Sequence, residues 1–556
     1  MKKLQQAIPL ILLSALGIML ILKLSTLLSR QFDPDEMSYL HWAYLLSQGK
    51  LPYQDFFFYI TPFYPGFLRP LFLLPYAPAT ALFGRLLMFG VYLLTLRVFF
   101  SLAKLFTKNL HTALLAVLVF TAFPMTFDKT IEIRPDMVMV LFFLIGVLLL
   151  IKNGSRVQYF LSGFFLSVSF LTMYKIIFAV PSILLLLLQG KKTSLKTILV
   201  WGICGALVPV FIFFLYLTKT NLISQGIQAM IHDSAIVNIG NSSFPLWMTL
   251  SPWPLIYVQK EGISFPWILN SFLWLFMIPG IYGIYKHYRA AGLFLGILLI
   301  SAIGFLFLFP KPYVQYFIIP SMIAAIGTAW LVTAVFKKHE TVIVSVLSLL
   351  LLLSFSVQTL DRQIPLGSNQ EQLDVLQSVL SVIKPDEPVY DMVGSYVFRP
   401  DGYYICCHPY IQFAHLLKRP LPTLTESLIS SKTKFLVMDQ KGYVFWIAKP
   451  EDLAFMTTHY LPSAYKKIYT LGSQFQCNQG SCIQLNVHGQ PISEEKITTI
   501  DVVIEEQYKI RVQPSNKQIT INAGSYINDQ IAVFAPGVYR FSAPPAVTSF
   551  SIQLDR

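Results

Sequence analysis

Residues 31–57, QFDPDEMSYLHWAYLLSQGKLPYQDFF, follow directly on an apolar run at 7–28 and hold three carboxylates in four positions, Asp33, Asp35 and Glu36. Carboxylates at the mouth of a membrane helix are costly to desolvate, so a chain poor in charge that places them there is expected to use them chemically. A structural reading competes. Asp33, then Pro34, then Glu36 three residues after the Asp is also a helix start: an Asp N-cap, Pro at the first helical position and a carboxylate reaching back to the cap. Capping accounts for Asp33 and Glu36. It leaves Asp35, the aromatic setting of Tyr39, His41, Trp42 and Tyr44, and the further acid Asp55 to be explained by catalysis or ion binding.

Working outward, the chain has 556 residues, of which 55% are hydrophobic, 15% aromatic and 13% charged, with a mean hydropathy of +0.59. That profile excludes an ordinary soluble globular protein and implies a polytopic membrane protein. Runs long enough to cross a hydrocarbon core of roughly 30 Å fall at 7–28, 82–103, 110–127, 137–151, 157–174, 176–189, 197–218, 266–285, 290–309, 314–336 and 341–359. The fold expected is about eleven spans. The first run sits behind Met-Lys-Lys like a signal peptide, but its apolar stretch is too long and no small-residue cleavage site follows, so it is expected to stay as a helix.

Alternate connections are basic: Lys2-Lys3, Lys104 and Lys108, Lys152 and Arg156, Lys191-Lys192-Lys196, Lys286 and Arg289, Lys337-Lys338. These are expected on the cytoplasmic side, with 29–81, 128–136, 219–265 and 310–313 facing outward together. The formal charge of +14 is spread over these loops and the tail, which fits topology and contact with anionic membrane lipids and no nucleic-acid partner.

A transmembrane domain over 1–360 and a soluble outer domain over 361–556 are expected. In the tail the apolar runs shorten to strand length (PVYDMV, KFLVMD, TTIDVVIEE, YKIRVQ, QIAVFA), with turn residues between them, predicting a soluble α/β or mostly β domain. Cys477 and Cys482 flank an Asn-Gln-Gly-Ser turn and suit a small disulfide loop. The adjacent pair Cys406-Cys407 lacks the spacing of a zinc knuckle.

The string FDPDEMSYLHWAYLLSQGKLPYQDFFFYITPFYPGFL resembles the first outer loop of GT-C glycosyltransferases, in the branch that holds protein O-mannosyltransferases and lipid A aminoarabinose transferases. That branch has an Asp-Glu pair after the first span, then an amphipathic region ending in G-x-x-P-Y-x-D-F, matched here by Gly49, Pro52, Tyr53, Asp55 and Phe56. Its bacterial members also carry Arg-Pro-Asp in the second outer loop, here Arg134-Pro135-Asp136. The resemblance covers about 1–360. It implies an integral glycosyltransferase of the bacterial plasma (inner) membrane, with active site and tail on the periplasmic or extracellular side. Its partners would be a polyprenyl-phosphate sugar donor and a glycan, lipid or protein acceptor.

On that reading Asp35, matching the Asp of the pair, is the general base and Glu36 orients the site or contacts the acceptor. Asp33, Tyr39, Tyr53 and Asp55 are expected to bind substrate. The leaving phosphate needs fixed cations. The candidates are Arg134 beside Asp136, Lys175 in MYKIIF, and Lys311 in KPYVQY together with Tyr316; Gln315 stands where a His or Arg is common. Salt bridging for Arg134 and interface snorkelling for Lys175 are the structural alternatives. Asp33, Asp35, Asp55, Asp136 and His41 could gather around a cation, but no spacing is diagnostic. The branch generally works without a catalytic metal, so no metal and no cofactor is expected. His232-Asp233 is a further acceptor-side pair. The prolines of FFFYITPFYPGFLRPLFLLPYAP suit short helices lying along the membrane plane. A transporter should place its ionisable residues in mid-span, and a lipid-linked saccharide flippase or ligase should put charge inside the bundle or in a large outer loop. Here the acids lie at span ends.

Overall fold

The computed structural model describes residues 2–152, 154–189, 194–235, 265–308, 313–363, 368–407, 417, 420–438, 448–493 and 495–555. The chain forms two compact units: Met1–Phe32, Phe58–Leu68 and Ala81–Asn369 make the first, and Asp33–Phe57, Arg69–Thr80 and Gln370–Arg556 the second. The division thus falls at 369/370 rather than 360/361, and two stretches of the first loop group with the tail.

The first unit is helical. Among the described residues seven helices are long and apolar enough to cross a membrane: Gln6–Ser29, Ala79–Thr107, Leu195–Lys219, Ile268–His287, Arg289–Phe307, Val314–Val335 and Lys337–Leu360. The other expected spans are helical but shorter: Leu110–Ala122, Pro135–Ile151, Arg156–Thr172 and Val180–Gln189. Leu110–Ala122 stops because Pro124 follows; the residue before a proline is driven out of the helical region, and Phe123 is extended at φ −60°, ψ 116°.

Backbones meet closely where glycines face each other, as membrane helices require when burial of apolar surface offers no drive of its own. A Cβ on Gly163 would strike the Gly202 carbonyl, one on Gly205 the Phe160 carbonyl, and one on Gly280 the Gly327 carbonyl. Polar bonds add to this: Ser162 donates to the Gly146 carbonyl at 2.8 Å, and the hydroxyls of Thr112 and Thr333 lie 2.7 Å apart. Val314–Val335 is the most enclosed span, 78% buried in its apolar window against 17% for Leu195–Lys219. The latter presents Phe211, Ile212 and Leu207 outward, the face expected toward lipid.

The C-terminal carbonyls of the first helix are held by a buried arginine. Arg85 donates to the carbonyls of Leu27, Arg30 and Gln31 at 2.6–2.8 Å, and its guanidinium carbon lies 3.9 Å from the Phe32 ring centroid. Those acceptors have no partner inside the helix.

The second unit carries the strands. One sheet runs, in spatial order, Val389–Tyr390, Phe435–Val437, Ile468–Asn478, Ser549–Leu554, Glu506–Gln513 and Gln530–Phe534, with Tyr460–Pro462 and Ser481–Leu485 also pairing Ile468–Asn478. The first pair is parallel; the rest are antiparallel. A second sheet orders Thr499–Val502, Gly537–Ser542, Gln518–Ile521 and Gly524–Ile527. In Glu506–Gln513 alternate residues Tyr508, Ile510 and Val512 are buried, the period-two pattern of a one-faced strand. Phe475, Phe541 and Phe550 stack beneath the two sheets with ring centroids 4.6–5.2 Å apart. The Ile468–Asn478 and Ser481–Leu485 hairpin turns on Gln479 at φ 48° and Gly480 at φ 85°, both left-handed as a tight two-residue hairpin demands. Cys477 and Cys482 stand opposite each other in its register and are disulfide-bonded.

Candidate functional site

Two charged clusters stand out, one in each unit. In the second unit the helix Pro34–Ser47 begins with a complete capping box. The Asp33 carboxylate accepts from the Asp35 N–H at 3.0 Å, and the Asp33 N–H donates to Glu36 Oε2 at 2.8 Å. Asp33 and Glu36 therefore hold the helix start in place, Glu36 with no exposure at all. The Asp35 carboxylate is not one of the two capping groups and is half-buried.

The remainder of the first loop is built to hold this helix. Tyr39 is buried with its ring 5.3 Å from Trp42. Gly49 at φ 78° and Tyr53 at φ 71° reverse the chain after the helix. The buried Tyr53 offers its carbonyl to the Tyr404 hydroxyl at 2.7 Å. Asp55 accepts the Leu51 N–H at 2.7 Å on the surface. The G-x-x-P-Y-x-D-F pattern is thus a folded turn in which each special residue has a local structural task.

His41, noted in the sequence only as an aromatic neighbour and possible ligand, is fully buried. Its Nδ1 lies 2.7 Å from the Val397 carbonyl and its Nε2 2.6 Å from Asp401 Oδ1. Burial alone would push the imidazole down, but the Asp401 carboxylate, with the Val397 carbonyl and the Asp391 charge, holds its pKa above the ordinary histidine value. The Tyr396 hydroxyl also donates to Asp401 Oδ1. Asp391 fixes the neighbouring turn by accepting the N–H groups of Val393 and Ser395 at 2.9 Å. No sequence signal linked residue 41 to residue 401: the pairing spans 360 positions and belongs to no motif.

In the first unit the stretch DKTIEIRPD supplies a dense, buried ion network. Arg30 reaches Glu132 at 3.0 Å and Asp128 at 3.6 Å, Lys129 reaches Glu132 at 2.7 Å, Arg134 reaches Asp136 at 3.4 Å, and Lys175 pairs with Asp136. The Lys175 ammonium also lies 4.5 Å over the Tyr316 ring. Arg134, Asp136, Lys175 and Tyr316 are thereby brought together, and the salt bridge named as the alternative for Arg134 is present. Arg30 and Lys129 were missed, because neither sits in a motif. Among the described residues these charges are drawn together where an unpaired charge would be costly. Beside Lys175 lies an apolar cleft lined by Met139, Val140, Phe178, Phe305, Gln315 and Tyr316, where Gln315 Oε1 is buried without a hydrogen-bond partner among the described residues. Such an atom calls for an added donor.

Lys311 lies outside the described residues, as do positions 236–264 of the third outer loop. His232 is exposed while Asp233 is buried and accepts from Gln228 at 3.0 Å.

The class these features define is a polytopic helical membrane protein with a strand-rich C-terminal region. No protein-family model matches the chain, and no curated protein matches it. Among solved structures it is similar to ArnT from Cupriavidus metallidurans bound to undecaprenyl phosphate, with 14% identity and a TM-score of 0.59 over 83% of this chain and 97% of that one. The same ArnT in the apo state gives a TM-score of 0.54 at the same identity and coverage. The fold is that of the ArnT structures.

Proposed function

We propose that this protein is a glycosyltransferase that moves a sugar from a polyprenyl-phosphate donor to an acceptor hydroxyl on the outer face of a bacterial inner membrane. The observation that carries the reading is the likeness in fold, over most of both chains, to an ArnT bound to undecaprenyl phosphate. In this reaction the acceptor oxygen attacks the anomeric carbon, the bond from that carbon to the phosphate oxygen breaks, and the polyprenyl phosphate leaves with the electron pair.

Each cluster has a role in that chemistry. Asp35 takes the acceptor's proton; it is the carboxylate of its turn that capping does not employ. Asp33 and Glu36 are positioning residues that fix the turn, and Tyr39, Tyr53 and Asp55 shape the loop on the acceptor side. Lys175 and Arg134, held by Asp136 and backed by Tyr316, receive the negative charge that develops on the leaving phosphate. Lys311 is assigned to the same phosphate. Fixed cations of this kind contribute roughly 2–4 kcal/mol per contact, by analogy with oxyanion sites. The cations Lys175 and Arg134 beside Asp136 support an anionic group there.

The test is transfer of radiolabelled sugar from purified polyprenyl-phosphate donors to a membrane fraction by the full-length protein. Transfer from one donor, lost in Lys175→Met, is expected. Absence of transfer with every donor, alongside movement of an intact lipid-linked saccharide or a free solute across the membrane, would favour the flippase or transporter class instead.

A further inference from the structure

The structure assigns a thiophilic divalent-cation site, opened by reduction, to His41, Asp401, Cys406 and Cys407. One ligand atom from each of these residues lies within 4.8 Å of all the others. His41 and the two cysteines are fully buried, Asp401 nearly so, and all four belong to the second unit. The site is independent of the proposed transfer chemistry, which uses none of these groups.

Three observations distinguish this cluster from a chance gathering of polar groups. First, Asp401 Oδ2 is buried with no hydrogen-bond partner among the described residues, while Oδ1 is already taken by His41 and Tyr396; a buried carboxylate oxygen in that state calls for a cation or donor. Second, the Val397 carbonyl can only accept, so His41 Nδ1 carries a proton, and Nε2, which now donates its hydrogen to Asp401 Oδ1, is the nitrogen that would give up its proton to a metal. A metal-bound histidine whose other ring N–H is fixed by a backbone carbonyl is the usual arrangement. Third, a glycine turn closes over the cluster: Gly394 has φ +68°, and a Cβ there would come 2.9 Å from both Cys407 Sγ and His41 Cβ. The site is therefore enclosed and walled by backbone.

As the chain stands, Cys406 and Cys407 are joined in a disulfide, which removes both thiolates. A phosphine or dithiol supplies the two electrons that break the S–S bond; two protons from water complete the thiols, and the phosphine leaves as its oxide or the dithiol as a disulfide. Zn2+ then displaces the two thiol protons, together with any proton on Nε2. Two Cys, one His and one Asp make a four-coordinate set suited to zinc. With Zn–S near 2.3 Å and Zn–N near 2.0 Å, ligand atoms in a tetrahedron stand roughly 3.3–3.8 Å apart. The widest separation must close by about 1 Å and the two sulfurs must part to that spacing, a movement of side chains at adjacent positions. The sequence offered no such site because adjacent cysteines have no zinc-motif spacing; the fold brings His41 to them from a distant part of the chain.

The test uses the full-length protein in detergent, carrying Cys204→Ser, Cys477→Ser and Cys482→Ser so that no other thiol is present. It is desalted after incubation with Zn2+, with or without prior phosphine reduction, and its metal content is measured. One zinc per chain after reduction and none before is expected, with loss in Cys406→Ser/Cys407→Ser and in Asp401→Asn. Cobalt in place of zinc should show thiolate charge-transfer absorption and tetrahedral ligand-field bands in the reduced protein, which reads the ligand set directly even if a variant folds poorly. Zinc that is not retained after reduction, or that is retained equally when both cysteines are serine, overturns the proposal.

Discussion

The two charged clusters use buried carboxylates in opposite ways. In the first unit Asp136 and Glu132 are matched to cations in an ion network, with Lys175 and Arg134 on one and Arg30 and Lys129 on the other. In the second unit Glu36 accepts the Asp33 backbone N–H that closes the helix start. A carboxylate tied to a cation can share that cation with an incoming anion; one that closes a helix start fixes geometry.

Breaking the ion network should have the largest effect on stability. Lys175→Met leaves Asp136 buried with Arg134 alone, and removal of one partner of a buried pair costs about 3–5 kcal/mol. The drop in thermal midpoint in detergent measures it, and Lys175→Met with Asp136→Asn should recover part of the loss, since groups in one network do not add independently. Recovery in stability without recovery of donor binding would assign Lys175 to phosphate as well as to Asp136.

The capping cluster should respond more weakly. Asp33→Ala and Glu36→Ala are each expected to cost about 1 kcal/mol, and the double change less than their sum, because the two bonds close one reciprocal box. Additive losses would separate the two residues and remove the positioning role.

The smallest effect is expected from pH. Burial holds His459 below its ordinary value of 6.5, opposed only in part by Asp501, 4.0 Å away. The unfolded chain therefore binds the extra proton first, and the second unit should lose stability as pH falls from about 6.5 through the depressed folded value. His459→Gln should flatten that dependence; an unchanged profile in hydrogen exchange of Ile500 and Val502 would contradict it.

Much of the first unit was legible in the sequence. Every expected span is helical, because runs of apolar residues bounded by charge have few alternatives in a bilayer. What length alone did not supply was where the short helices stop, as at Phe123 before Pro124. In the site, Arg134, Asp136, Lys175 and Tyr316 were read from loop position and a family pattern, and they converge. Arg85 belongs to no motif, yet it clamps the end of the first helix. Hydropathy registers its charge and says nothing of the carbonyls it meets. In the second unit the strands followed from short apolar runs with turn residues between them, whereas His41 with Asp401 depends on contacts 360 positions apart, for which a single sequence holds no signal.

The central claim turns on whether Asp35 works apart from its capping neighbours. Sugar transfer from the active polyprenyl-phosphate donor should be compared for wild type, Asp35→Asn, Asp33→Asn and Glu36→Gln at matched expression, with thermal midpoints recorded alongside. Asp35→Asn should lose about 10²- to 10⁴-fold in rate, the range for a general base, with its midpoint unchanged, while the other two lose stability first. Full activity in Asp35→Asn, or equal losses in all three that track their midpoints, would contradict the account and reduce the acidic loop to a helix cap.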